Sequence, residues 1–373
     1  MKIVVLGLRG FPDIQGGVET HCEQLFTRVA ARGHEVVVLG RKPYMNATFH
    51  EYKGVRLVAI ACPRHKSLEA FLHTFVGVLR ARAFKPDILH LHAIGPALFT
   101  PLARLLGMKV VSTNHGPDYE RAKWGMLARA ILRAGETMGS RCSNAVIAIS
   151  PPIAEHLRQA FGCSPAVIPN GVLPRTPASG QESLEQYGLQ AGRYLLAVGR
   201  LVPEKGIHDL MDAYVQAALP GWKLVIVGEA DHADAYSIGL KQKAASIPGV
   251  VLTGFLTGEA LAQIYSHAGV FVLPSYHEGL PIVLLEAMSY GLRVLASDIP
   301  PNRQVSLPDE QFFAPGDVAA AAERIKSFSA RDFSEELRQR QIAYVTRNFD
   351  WNQVTDQTIA VYDAVLANST VTT

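Results

Sequence analysis

The sequence predicts an α/β protein built from two Rossmann-like domains, each a parallel sheet flanked by helices. Three observations carry this. A chain of 373 residues is too long for one ordinary hydrophobic core and suits two. Short β-branched apolar runs alternate with stretches of helical period, the pattern that builds parallel sheets with ligands at the carboxyl ends of the strands. A segment rich in Pro, Ser, Thr and Gly, Leu173 to Gln181, interrupts that alternation in mid-chain, and a second series starts after it.

In the first half, Met1 to Leu6 is a strand running into the glycine turn Gly7-Leu-Arg-Gly10, and Val18 to Arg32 carries a helical pattern. A dinucleotide fingerprint needs glycines at 7, 9 and 12, where the chain has Gly7, Arg9 and Pro12, so a nicotinamide enzyme is disfavoured. The paired glycines, Gly16 and Gly17, stand directly before the helix. They suit either a structural turn or a phosphate seated on backbone N–H groups. Further strands are expected at Glu35 to Leu39, Arg56 to Ile60, Asp87 to His92, Lys109 to Thr113 and Ala145 to Ile149. His90 and His92 share one strand face, a metal pair or, with more weight, packed histidines, since no third ligand stands out. His115 follows a strand and precedes Gly116, so it emerges at the sheet's ligand-bearing edge. Asp118 in the same loop suits an acceptor hydroxyl or, as is commoner, a helix cap, and Arg121, Lys123 and Trp124 add a basic and aromatic cluster.

In the second half, Tyr194 to Gly199 is a strand whose end carries Arg200 and, five positions on, Lys205 beside a helix start. Two cations so placed suit a diphosphate, Arg as a fork and Lys as a point charge; a solvated loop with Glu204 is the plainer alternative. Lys223 to Gly228, Val250 to Gly254 and Val270 to Pro274 are further strands. After the last of these come Glu278, Gly279, Leu280, Pro281 and, eight positions beyond the first acid, Glu286. If the whole interval were helical the two acids would share a face about 12 Å apart along the axis, able to hold two parts of one elongated ligand. Helix-start acid and surface acid is the plainer reading of the same pair. Phe349 and Trp351 are expected to be packing anchors at the start of a helix reaching to about Leu366.

Composition narrows the class further. No apolar run approaches the 18 or more residues a spanning helix needs, and Gly7 and Arg9 cut short the opening, so a cytoplasmic protein is expected. Four scattered cysteines without a C-x-x-C spacing argue against a zinc framework or disulfides. The net charge of +3 hides +10 in residues 1–174 and −7 in the rest. A basic half suits an acidic partner such as anionic lipid, while no zinc-finger or RRM-like signature supports nucleic acid. Phe71 to Phe84 adds a stripe of Phe71, Phe75, Val78 and Leu79 ending in Arg80, Arg82 and Lys85, either a core face or a membrane-interface helix.

Glu278-Gly-Leu-Pro, seven residues between the acids and Glu286-Ala-Met-Ser-x-Gly together resemble the donor-site motif of the retaining family 4 glycosyltransferases, which have the GT-B architecture. Gly7-x-Arg-Gly-x-Pro with Gly16-Gly-x-Glu-Thr is similar to the start of bacterial members of surface-polysaccharide assembly, including rhamnosyl-, mannosyl- and glucosyltransferases. Pro169-Asn170-Gly-Val and Gly199-Arg200-Leu-x-x-x-Lys205-Gly are further family features, so the resemblance spans essentially the whole chain. It implies two Rossmann-like domains facing across a cleft, at 1–172 and 182–348, with 349–373 returning to the first.

The resemblance also implies roles. Glu286 binds the ribose, Glu278 and His115 lie against the transferred sugar, Arg200 and Lys205 neutralise the leaving diphosphate, and the backbone at Gly254 and Phe255 borders the base. Gly16, Gly17, Asn170, Gly279, Leu280 and Pro281 complete the donor side, and Asp118, Arg121 and Trp124 the acceptor side. The implied reaction is hexosyl transfer from a nucleotide sugar to an acceptor hydroxyl, with retention, by front-face attack, on a lipid-linked saccharide at the inner face of the membrane. No cofactor or metal is implied, because Arg and Lys stand where other transferases hold a cation. Two positions depart from the family pattern: Arg293, usually Pro, and Leu173, often Asp. A GT-B nucleotide-sugar epimerase and a non-catalytic nucleotide-sugar-binding protein are the rival readings.

Overall fold

The computed structural model describes residues 1–45, 48–63, 69–120, 125–331 and 333–368. The chain divides into two compact units, Met1–Asn170 with Trp351–Thr373, and Gly171–Asp350.

Among the described residues the first unit is built on eight strands: β1 (Lys2–Leu6), β2 (Glu35–Arg41), β3 (Glu51–Tyr52), β4 (Val55–Ile60), β5 (Ile88–His92), β6 (Val110–Asn114), β7 (Ala145–Ala148) and β8 (Ala166–Val167). Their order in the sheet is β3-β4-β2-β1-β5-β6-β7-β8, parallel throughout except for the β3–β4 pair. Helices cover both faces, which is why β5 and β6 are buried along their whole length, polar residues such as His90 and Ser112 included. The last helix, Trp351–Ala367, belongs to this unit and packs on the first, Gly17–Ala31. Arg32 Nε meets Asp356 Oδ1 at 2.7 Å, and Trp351, 2% exposed, lies edge-on to His21.

The second unit holds β9 (Tyr194–Val198), β10 (Lys223–Val227), β11 (Val250–Gly254), β12 (Val270–Leu273), β13 (Arg293–Ser297) and β14 (Phe312–Phe313), all parallel, in the order β11-β10-β9-β12-β13-β14. Leu195, Leu224, Val270, Val272 and Leu295 from four of these strands meet Met211, Tyr214 and Ile325 in one core. Phe349 anchors this unit rather than the first: it is buried, edge-on to Tyr344, and its carbonyl accepts from Val172 N at 2.6 Å. The two anchors expected together therefore serve different cores.

Candidate functional site

In the second unit, a close approach of backbone sets up the cationic pair. Gly206 sits at φ 63°, and a Cβ there would lie 2.2 Å from the Pro274 carbonyl, so the helix Ile207–Ala217 starts hard against the end of β12. That contact brings Lys205 to the loop carrying Glu278. Lys205 Nζ lies 2.6 Å from Glu278 Oε1, which also accepts from Ser275 Oγ at 2.6 Å. Both charges are largely out of water, with side chains 17% and 9% exposed. Arg200, at the end of β9, is paired with Asp231 at 2.7 Å. The two cations thus engage carboxylates from other loops of this unit, one beyond β10 and one beyond β12.

Glu286 is not the solvated surface acid of the plainer reading. It lies on the helix Ile282–Ser289, with Arg175 Nη2 3.3 Å from Oε1 and the Tyr265 hydroxyl 3.5 Å from Oε2. Burial pushes its carboxyl up, against the opposing pull of Arg175. Tyr265 stacks on Tyr290 at 5.1 Å with ring planes 6° apart, and Arg175 lies over Tyr290. Pro281 is the N-cap and the helix begins at Ile282, so half of the interval between the two acids is loop and the fully helical spacing does not hold. Leu280 and Pro281 are buried, Gly279 half-buried, Gly254 ends β11 at φ 76°, and Phe255 beyond it is exposed.

In the first unit, the two glycines before the first helix do different jobs. A Cβ on Gly16 would lie 2.0 Å from Glu19 Oε2 and 2.6 Å from Arg9 Nη2, whereas one on Gly17 would meet nothing within 4 Å. Gly16 thus makes room for a buried ion pair. Arg9 offers Nε to Glu19 Oε1 at 3.1 Å and Nη2 to Oε2 at 3.2 Å, and its backbone N–H also donates to Oε1 at 3.1 Å. Burial alone would raise the Glu19 carboxyl, but Arg9 holds it below its ordinary value. Gly17 is exposed and opens the helix, where a phosphate has room.

His115 belongs to a group of rings. Its Nε2 lies 3.1 Å from His92 Nδ1, and His21, 5.0 Å away between ring centroids, closes a triangle. Asn170, 4% exposed, fixes His21 through Oδ1 at 2.8 Å from Nδ1. His90 stands apart chemically, with Nε2 on Thr113 Oγ1 at 2.7 Å and Nδ1 on the Tyr362 hydroxyl at 2.6 Å. The packed reading therefore holds for His90, while His92 gains the companions the sequence did not reveal. Burial first, then the neighbouring imidazoles, drives His115 well below its ordinary value, so it is a neutral hydrogen-bonding group.

The loop that follows is fastened from beneath. Gly116 N donates to Asn114 Oδ1 at 2.8 Å, and Asn114 Nδ2 donates to Glu136 Oε1 at 3.1 Å. The buried Glu136 also accepts from the Tyr119 hydroxyl at 3.1 Å and lies 3.2 Å from His156 Nε2. Asp118 begins a short 3₁₀ turn, Asp118–Glu120, and Gly125 caps the next helix, Met126–Cys142, so Asp118 does not cap it. Arg121, Lys123 and Trp124 lie outside the described residues.

The family described as Glycosyltransferase Family 4 matches residues 15–174, and that described as Glycosyl transferases group 1 matches 181–347, so the two together account for most of the chain. The chain belongs to the family 4 glycosyltransferases. Glycogen synthase of Mycobacterium tuberculosis is 29% identical over 97% of this chain and 94% of its own length. Phosphatidyl-myo-inositol mannosyltransferase of Mycobacterium leprae is 28% identical over 95% of this chain and 94% of its own. HepE of Anabaena, solved in complex with UDP-glucose, superposes with a TM-score of 0.79 at 19% identity, covering 98% of this chain and all of that one. That likeness speaks for the fold, GT-B with two parallel-sheet domains.

In this glycosyltransferase the departure at Arg293 has a structural reason. Its guanidinium, at the start of β13, bonds the carbonyls of Gly269, Phe328 and Arg331 and ties three stretches of main chain together, which Pro would leave unmet. Sequence reasoning missed Arg175, Asp231, Ser275 and His21, each of which contacts a predicted site residue, and Glu136, which fastens the loop that follows His115. Arg175 lies in the segment read as linker. A positive charge among Pro, Ser and Thr was the one available signal.

Proposed function

We propose that this glycosyltransferase transfers a hexosyl group from a nucleotide sugar to an acceptor hydroxyl with retention of configuration. The observation that carries the reading is the pair of cations at the end of β9 and in the turn after it, each engaged by a carboxylate: Arg200 with Asp231, Lys205 with Glu278. A donor diphosphate gripped by Arg200 and Lys205 competes with those carboxylates and frees Glu278 to face the transferred sugar. Arg200 and Lys205 then stabilise the charge that builds on the leaving phosphate, and that phosphate's oxygen takes the acceptor's proton. Glu286 receives the ribose hydroxyls, Gly254 and Phe255 border the base, and His115 offers the sugar a neutral imidazole. Two cations supply the charge that a bound metal supplies elsewhere, so the reaction on this reading needs none. The UDP-glucose complex of HepE supports a nucleotide-sugar donor.

The two glutamates are expected to fail differently. Glu286→Gln, which weakens ribose recognition, raises the donor KM, and Glu278→Gln, which touches the reacting sugar, lowers kcat. Steady-state release of the nucleoside diphosphate measures both; the reverse pattern would require their roles to be exchanged.

The acceptor on this reading is lipid-linked, as the name of the mycobacterial mannosyltransferase suggests, and the first unit docks on the inner membrane surface. Phe71, Phe75 and Leu79 are 43%, 40% and 45% exposed on the helix Glu69–Ala83. Val78, expected on the same stripe, is fully buried in the core. Leu105 on a contacting helix is 84% exposed, and Met126 and Leu127 at the start of Met126–Cys142 are 89% and 77%. Arg80, Arg82, Arg129 and Arg133 are exposed among them. Among the described residues no helix is long and apolar enough to cross a membrane. Each interfacial cation contributes about 1 kcal/mol on an anionic surface. Co-sedimentation is expected to favour anionic over neutral vesicles at low salt and to lose that preference at high salt. Equal pelleting with both at low salt removes the docking.

A further inference from the structure

We propose that His21, His92 and His115 form a binding site for a divalent transition ion of the zinc kind, and that its occupancy shuts off transfer. The three rings come from separate elements, the helix Gly17–Ala31, the end of β5 and the loop after β6, and one nitrogen from each lies within 4.8 Å of the others. The 3.1 Å between His92 Nδ1 and His115 Nε2 is close to the about 3.3 Å that separates two nitrogens on one tetrahedral zinc. Asn170 Oδ1 takes the N–H of His21 Nδ1 and leaves Nε2 with a free lone pair, the outer-sphere support that metal-binding imidazoles have.

His92 Nδ1 bonds within the cluster, to His115, and its Nε2 is buried without a hydrogen-bond partner, so the polar bonding of this ring is not spent on groups outside the cluster. His90 is excluded as a ligand because both its nitrogens are engaged. Burial keeps the three rings neutral, which spares an incoming ion the cost of displacing protons from charged ligands. Three imidazoles without a carboxylate select zinc, copper or nickel over magnesium or calcium. His115 is the half-buried member, so the ion enters on its side and takes a fourth ligand there. The shut-off rests on the contact between His115 and the sugar given above; the binding does not.

Calorimetry with ZnCl2 alone and absorption spectroscopy with CoCl2 alone, on the full chain after treatment with chelator, test the site. The expected result is one ion per chain, intense visible bands of tetrahedral cobalt, and loss of transfer on zinc addition. His21→Gln and His92→Gln are each expected to weaken zinc binding at least tenfold, and His50→Gln on an exposed loop to leave it unchanged. Absence of the cobalt bands in the unmutated chain overturns the proposal, and this holds even if both variants fail to fold. So does unchanged zinc affinity in folded His21→Gln and His92→Gln. Zinc bound at this site with undiminished transfer overturns the shut-off and the role of His115 together, while the site itself stands.

Discussion

Lys205→Ala will leave the chain folded and lower kcat by about 10²–10³, the usual cost of losing one preorganised group that stabilises transition-state charge. Arg200→Ala will do the same through the other end of the diphosphate. Each will also weaken nucleoside-diphosphate binding by ~1.5–3 kcal/mol, because a charge-assisted contact is removed. Folding survives in both because the carboxylates left behind keep other contacts: Glu278 retains Ser275 Oγ, and Asp231 is one quarter exposed. Calorimetry on the two variants decides the matter. Near-unchanged affinity in both would show that the diphosphate lies elsewhere and would take the roles of Glu278 and Glu286 with it.

The second large effect concerns stability, through the pair beneath the glycine turn. Glu19→Ala removes the counter-charge of Arg9, whose side chain is 11% exposed, and will cost about 3–5 kcal/mol, because a buried charge that loses its opposite charge keeps its desolvation penalty and loses most of its compensation. The double replacement Arg9→Leu with Glu19→Leu removes both charges and will cost less than either single change. Urea unfolding of Arg9→Leu, Glu19→Leu and the double replacement reads the coupling. If the single and double losses simply add, the pair does not act as a unit and Gly16 needs another explanation.

The strands that could be read from the chain, β1, β2, β4 to β7 and β9 to β12, are short and mostly apolar runs of four residues or more, since a parallel strand covered on both faces has little polar alternation to blur it. β3, β8 and β14 have two residues each, too short to show any period. In the site, local pattern carried Arg200, Lys205 and Glu278, which follow the ends of β9 and β12, and Glu286, which stands at a fixed distance beyond Glu278. Their partners are remote. Arg175 is 111 positions from Glu286, and His21 is 149 from Asn170. Nothing in a local window reports such meetings, which only the packing of whole elements brings about. The same limit separated His90 from His92: their shared strand face was visible, but Tyr362, which claims one of them, lies 272 residues on.

The helix Trp351–Ala367 also sets the order in which the molecule is finished. Everything else in the first unit has been made by Asn170, yet the Tyr362 hydroxyl that serves His90 and the Trp351 ring that lies on His21 come from the other end of the chain. On the ribosome the first unit must wait, with the outer side of Gly17–Ala31 bare and a buried-to-be imidazole unserved, until Asp350 has been passed. At ordinary synthesis rates that interval is on the order of ten seconds or more. The second unit, contiguous in sequence, has no such wait. The part of the protein translated first is therefore the part completed last, and a chain ending just before Trp351 holds one closed domain and one open one.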